Sequence, residues 1–107
     1  MAEDQPQEEC QMFYHVVMFK IKDNSNENLD KVKELLLSME GKIPELKKIT
    51  VGKDTLFTGR SFDICLITQF ESKEDMDTYQ DSYYHVEYVL KNLKPQIEKS
   101  AACDFIA

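Results

Sequence analysis

No apolar run in this chain is long enough to span a bilayer: VVMF, inside FYHVVMFKI, is closed off by His15 on one side and Lys20 on the other. The N-terminus lacks the basic-then-apolar order of a cleaved secretion signal, so a cytoplasmic location is expected and a membrane role is not. Basic residues are scarce too. Lysine and arginine together number 13 against 20 acids, for a net charge of -7, and the lysines alternate with acids rather than forming a stripe. A nucleic-acid backbone needs such a stripe, so no nucleic-acid partner is expected. The three cysteines, Cys10, Cys65 and Cys103, cannot all pair within one chain and show no CxxC spacing. Two of them fall in apolar, strand-like runs, and buried thiols acting as small hydrophobes are the expectation. Two distant histidines and scattered cysteines give no ligand spacing for zinc, so no metal site is expected.

What is present suits one domain. A length of 107 residues is near the favoured size for a single core, and 42% apolar with 31% charged residues fits a soluble globular chain. Glu3, Asp4, Glu8 and Glu9 put four acids and no base into MAEDQPQEEC. Residues 1–11 therefore read as a disordered acidic lead-in, and 12–107 as the domain.

From Met12 to Lys22 the residues alternate. Phe13, His15, Val17, Phe19 and Ile21 share one face of a strand; Tyr14, Val16, Met18 and Lys20 share the other. KDNSNEN is a turn rich in helix caps, and Leu29, Val32, Leu35, Leu36 and Met39 then follow helical spacing. Gly41 stands where a C-terminal glycine belongs, and Pro44 enforces the stop. LKKITVGKD is a short second strand. Phe62 to Phe70 is a third, with Phe62, Ile64, Leu66, Thr68 and Phe70 on one face. Ser72 to Leu93 is helical but interrupted near Asp81 and Ser82, with Val86, Val89, Leu90 and Leu93 as an apolar stripe. AACDFI closes the chain as a fourth strand.

The order is β-α-β-β-α-β, an α+β protomer of ferredoxin-like type with two helices on one face of a four-stranded antiparallel sheet. Strands one and three are nevertheless apolar on both sides. A solvated face would alternate toward polar residues, so Val16, Met18, Cys65 and Ile67 call for a cover. A second sheet is the natural one, and a homodimer through the open sheet faces is expected. In the usual strand order, 4-1-3-2, Cys65 and Cys103 are two strand spacings apart, about 9.5 Å, beyond the roughly 7 Å Cα limit of a disulfide.

Several stretches, in order, resemble one known family. HVVMFKIKD, IPELKKITVGKD, SFDICLITQFESKEDMDTYQ and HVEYVLKNLKPQIEKSAACDFI are together similar to the stress-responsive A/B barrel domain, or Dabb, family, from Tyr14 to Ile106. The resemblance implies a dimeric α+β barrel built from two protomers packed sheet to sheet. The family includes a plant polyketide cyclase that works by aldol condensation without a cofactor, boiling-stable plant stress proteins and many bacterial members of unknown role. In cyclase-like members a first-strand histidine, a tyrosine in the second helical region and a later histidine form the active site, and these positions match His15, Tyr79 and His85. One motif departs. Where relatives carry His-Pro-x-His, this chain has SYYH, with Ser82 and Tyr83 replacing the pair.

Each of the three, and Asp63 with them, has a structural reading beside the functional one. Tyr79 and His85 are six residues apart, about 240° around a continuous helix, and could share a cavity only across a break. With a break at Asp81-Ser82, His85 enters the first turn of a new segment, whose dipole would keep the imidazole neutral for use as a base. Otherwise it caps or packs. His15 either lines a cavity between sheet and helices or is a satisfied core histidine. Tyr79 either bonds a carbonyl or presents its ring to the core. Asp63 either orients a histidine or marks the exposed start of a strand. These residues admit two functions. The first is a cofactor-independent cyclase, lyase or isomerase acting on a small ketide-like carbonyl compound by histidine acid/base catalysis, with a small apolar or aromatic ligand between sheet and helices. The second is a non-catalytic stress-response or small-molecule-binding dimer. A related cofactorless monooxygenase finds no support, since the chain lacks tryptophan and any oxidase motif.

Overall fold

The computed structural model describes residues 11–107, so nearly all of the acidic lead-in, with Cys10, lies outside the described residues. The elements are β1 (Phe13–Ile21), α1 (Asn26–Leu37), β2 (Lys48–Lys53), β3 (Ile64–Phe70), α2 (Lys73–Asp81), a π-helical segment (Tyr84–Leu90), single α and 3-10 turns (Lys91–Leu93, Lys94–Gln96) and β4 (Ile97–Ile106). The strands form one antiparallel sheet in the order β2-β3-β1-β4. This is the ferredoxin-like arrangement expected from the sequence. No helix among the described residues is long and apolar enough to cross a membrane.

The helix boundaries follow local chemistry. Ser25 stays extended, its hydroxyl accepts from the Asn28 N–H at 3.3 Å, and α1 begins. At the other end, tight turns carry the chain to Gly41, which takes φ +79°, a conformation that favours glycine. Leu29, Val32 and Leu36 point from this helix into the core, joined by Met39 from the turn that follows it. They meet Phe19 and Ile21 of β1, Ile49 and Val51 of β2, and Ile64, Leu66 and Phe70 of β3. Thr68, the one buried polar residue of that face, donates its hydroxyl to the His15 carbonyl at 3.2 Å. Both helices lie over β1, β2 and β3, which leaves β4 largely exposed.

The opposite face has no helix. Val16 pairs with Ile67 on one side and Cys103 on the other, and Met18 pairs with Cys65 and Ala101. Met18 is exposed there, and Tyr14 stacks on Phe105 with ring centroids 5.0 Å apart. Strand β1 separates Cys65 from Cys103, and both thiols are free. Neither is fully buried in the protomer, however. Cys65 is half-buried and Cys103 exposed, because both point to the uncovered face rather than to the helices. Burial still pushes the Cys65 thiol above its ordinary pKa.

Two boundaries differ from the periodicity. Strand β3 starts at Ile64, because Phe62 and Asp63 belong to the loop after β2. The second helical region is α-helical only to Asp81, and beyond the break the chain winds as a π-helix. Its i→i+5 bonding widens the turn, so residues three apart no longer share a face. Val89 and Leu93 are buried, but Val86 is exposed. The apolar stripe expected from α spacing loses its first member for this reason. Replacing Val89 with Ala should cost about 1.5–3 kcal/mol, from two lost methylene equivalents and the cavity left behind. Val86→Ala should stay within about 0.5 kcal/mol. Urea denaturation of both variants checks this; equal losses would mean that the segment winds as an ordinary α-helix.

Candidate active site

Helix α2 ends because Ser82 leaves helical space, with φ −65° and ψ 148°. The Ser82 hydroxyl then accepts from the His85 N–H at 3.3 Å, while its carbonyl accepts from the Val86 N–H at 3.0 Å. Ser82 thus closes one helix and caps the next segment, which turns the chain between Tyr79 and His85. The two rings come together at 4.6 Å between centroids, tilted by 41°. Tyr79 is 1% exposed, and Phe70 packs on its other side at 5.0 Å.

The break also fixes the histidine. A helix end leaves carbonyls without intrahelical partners, and the Gln80 carbonyl accepts from His85 Nδ1 at 2.9 Å. Since a carbonyl can only accept, Nδ1 carries the hydrogen and Nε2 is left with its lone pair. Among the described residues, Nε2 has no protein partner and is not sealed from solvent. Burial pushes the His85 pKa below its ordinary value of 6.5. The Gln80 carbonyl works against that shift, nearby His15 adds to it, and Asp81 opposes it. Desolvation is the largest cause of the shift and favours a neutral ring.

His15 stands across the gap on β1. Its Nδ1 hydrogen-bonds the Asp104 carboxylate, because β1 and β4 pair His15 directly with Asp104 on the helix side of the sheet. Its Nε2 lies 3.4 Å from the Gln80 side-chain nitrogen, whose N–H donates. Gln80 therefore touches both histidines, one through its side chain and the other through its backbone. His15, Tyr79, Gln80 and His85 line one end of a cavity of about 240 Å³. Apolar side chains form the rest, Leu36, Met39 and Leu66 among them, and no charged residue lines it. The space equals about eight water molecules at roughly 30 Å³ each. The Tyr79 hydroxyl has no hydrogen-bond partner among the described residues, and burial raises its pKa, so it stays protonated as a donor.

The three residues matched to the family's active site, His15, Tyr79 and His85, thus meet in one cavity. Gln80 and Asp104 were not singled out. Asp104 carried a signal, as an acid inside the apolar AACDFI strand, but reading it needed the β1–β4 register. Gln80 carried none. Asp63 reaches neither histidine: its carboxylate accepts from the Ile21 N–H at 2.8 Å and ties the β2–β3 loop to β1. Among the described residues, no group of three His, Cys, Asp or Glu is placed to hold a metal.

The chain's residues 13–107 match the family model of the stress responsive A/B barrel domain. No curated protein matches the sequence. Solved structures do. A dimeric ferredoxin-like protein of unknown function from Thermobifida fusca YX is 21% identical, covers 91% of this chain and 92% of its own, and superposes with a TM-score of 0.77. A dimeric protein of unknown function and ferredoxin-like fold from Bacteroides fragilis is 27% identical over 88% of this chain and 94% of its own, with a TM-score of 0.74. A hydroxynitrile lyase from Passiflora edulis is 21% identical over 90% and 93%, with a TM-score of 0.77.

The lowered His85 pKa sets a pH dependence. An unfolded imidazole titrates near 6.5 and binds protons more readily than the folded one. Its contribution to stability is therefore complete above pH 6.5 and is lost as pH falls through the lower folded value. Denaturation midpoints measured from pH 7.5 to 5 should fall more steeply for the wild type than for His85→Gln. Parallel curves would show that His85 does not resist protonation in the fold.

Proposed function

This chain belongs to the stress responsive A/B barrel domain family, and from that premise we propose a cofactor-independent acid–base enzyme of the cyclase, lyase or isomerase kind. Its substrate is a small, uncharged, ketide-like carbonyl compound with an apolar or aromatic body. The observation that carries this reading is that the Tyr79 and His85 rings meet in an otherwise apolar cavity, with no protein partner among the described residues on the Tyr79 hydroxyl or on His85 Nε2. The lack of any charged lining residue favours a neutral substrate.

In this reading Tyr79 donates its hydroxyl hydrogen bond to the substrate carbonyl oxygen. His85 Nε2 takes the proton from the neighbouring carbon, and the C–H electron pair moves into an enolate whose oxygen charge Tyr79 stabilises. The enolate then attacks a second carbonyl of the same molecule, whose π electrons move to oxygen and take the proton back from His85, which gives cyclisation, or it takes the proton back at another carbon, which gives isomerisation. The substrate's oxidation state does not change, so the chemistry calls for no redox partner. His15, held by Asp104 and Gln80, orients the polar end from the sheet side. The same fold serves a hydroxynitrile lyase in Passiflora edulis, which supports lyase chemistry as within its range. A homodimer through the open sheet face completes the proposal. The uncovered Val16, Met18 and Ile67 support it, as do the dimeric neighbours.

Tyr79→Phe separates chemistry from packing. The hydroxyl has no protein partner, so stability should change by less than about 0.5 kcal/mol. Turnover of a β-diketone and polyketide-mimic panel should fall by roughly 10- to 1,000-fold, and His85→Gln should lower it at least as far. Binding of panel members with no turnover in the wild type, unchanged by His85→Gln, would identify a non-catalytic small-molecule binder instead.

A further inference from the structure

The loop Asp54–Asp63, between β2 and β3, presents two large apolar side chains that the protomer leaves bare. Leu56 is 77% and Phe57 80% exposed. The loop is nevertheless tightly built. Its base closes through the Asp54 N–H on the Asp63 carbonyl at 2.9 Å, and the Asp63 N–H reaches the Phe19 carbonyl at 2.8 Å. The Asp54 carboxylate accepts from the Phe57 N–H at 2.7 Å. Thr58 and Ser61 pin the far side, their hydroxyls 2.9 Å apart, and the Thr58 hydroxyl accepts from the Arg60 N–H at 3.2 Å.

Within this frame Phe57 sits at φ +55°, the only non-glycine residue at positive φ among those described. A bulky side chain in that region is a strained choice, and strain held by surrounding bonds points to a use for the presented group. The loop is also continuous with the open sheet face. Arg60, Ser61 and Phe62 wall a groove of about 360 Å³ whose floor is Met18, Gly52 and Cys65, all on the uncovered side. Leu56 and Phe57 thus belong to the loop whose Arg60, Ser61 and Phe62 border the face that lacks a cover.

We propose that Leu56 and Phe57 pack against a second copy of this chain, so that the dimer contact extends from the sheet onto this loop. The assignment rests on the proposed homodimer. In a two-fold dimer each loop meets the other copy, so every change at the pair is felt twice. An apolar, aromatic-bearing tip suits the desolvated part of such a contact. A membrane surface fits less well, since the chain carries a net charge of -7 and Asp54 lies at the loop's base.

Sedimentation equilibrium of the full chain tests the assignment with a Leu56→Ser, Phe57→Ser double variant. Tyr83→Ser serves as a control of equal exposure on another surface. The wild type is expected to dimerise, the double variant to dimerise at least tenfold more weakly, and the control to match the wild type. Circular dichroism should show all three folded, because each replaced side chain is exposed. A double variant with wild-type affinity overturns the assignment and leaves the dimer standing. A monomeric wild type overturns the dimer reading itself and the assignment with it. Pelleting with phosphatidylcholine vesicles that the double variant loses, at unchanged dimer affinity, would overturn it in favour of a membrane.

Discussion

The candidate site depends on one carbonyl that a helix end leaves over. When Ser82 stops α2, the Gln80 oxygen loses its place in the helical ladder, and the His85 ring supplies the missing donor. That bond settles three things together. It turns His85 back against Tyr79, selects the tautomer with Nδ1 protonated, and leaves Nε2 open. Burial then keeps the ring uncharged. An unbroken helix would carry His85 some two-thirds of a turn away from Tyr79 and leave nothing for the carbonyl to fix.

The sheet supplies the other half by dividing its two faces. The helix side of β1 is filled at Phe19 and Ile21, but toward the start of the strand His15 replaces a hydrophobe. No helix covers β4 there, so Asp104 can hold His15 from an exposed strand. The side away from the helices carries apolar residues without cover. The same strand thus contributes to a cavity on one face and to an unfilled surface on the other, and a single alternation of residues encodes both.

Much of this was legible in the sequence. Alternation in FYHVVMFKI and DICLITQF marked the central strands and both of their faces, and the caps in KDNSNEN marked the start of α1, which ends at Leu37, short of Gly41. The interruption at Asp81-Ser82 was visible because two good capping residues interrupt an apolar stripe. The wider winding after it was not, since Val86 and Val89 look equivalent under α spacing and part company only in a π-helix. The thiols lie on the sheet face without a helix, so strand-like context alone did not decide their burial within the protomer. In the site, His15, Tyr79 and His85 were accessible through the family motif. Asp104 depended on strand register, and Gln80 on a main-chain carbonyl that every residue possesses. Side-chain identity cannot announce that kind of contact.

The protonation pattern of His85 is the claim on which the proposed chemistry stands, and nitrogen-15 NMR of labelled histidines reads it without a substrate. Long-range couplings to the ring protons distinguish the two nitrogens. The predicted result is a neutral ring at pH 7 with the hydrogen on Nδ1 and a bare Nε2. A hydrogen on Nε2, or a charged imidazolium at that pH, would contradict it.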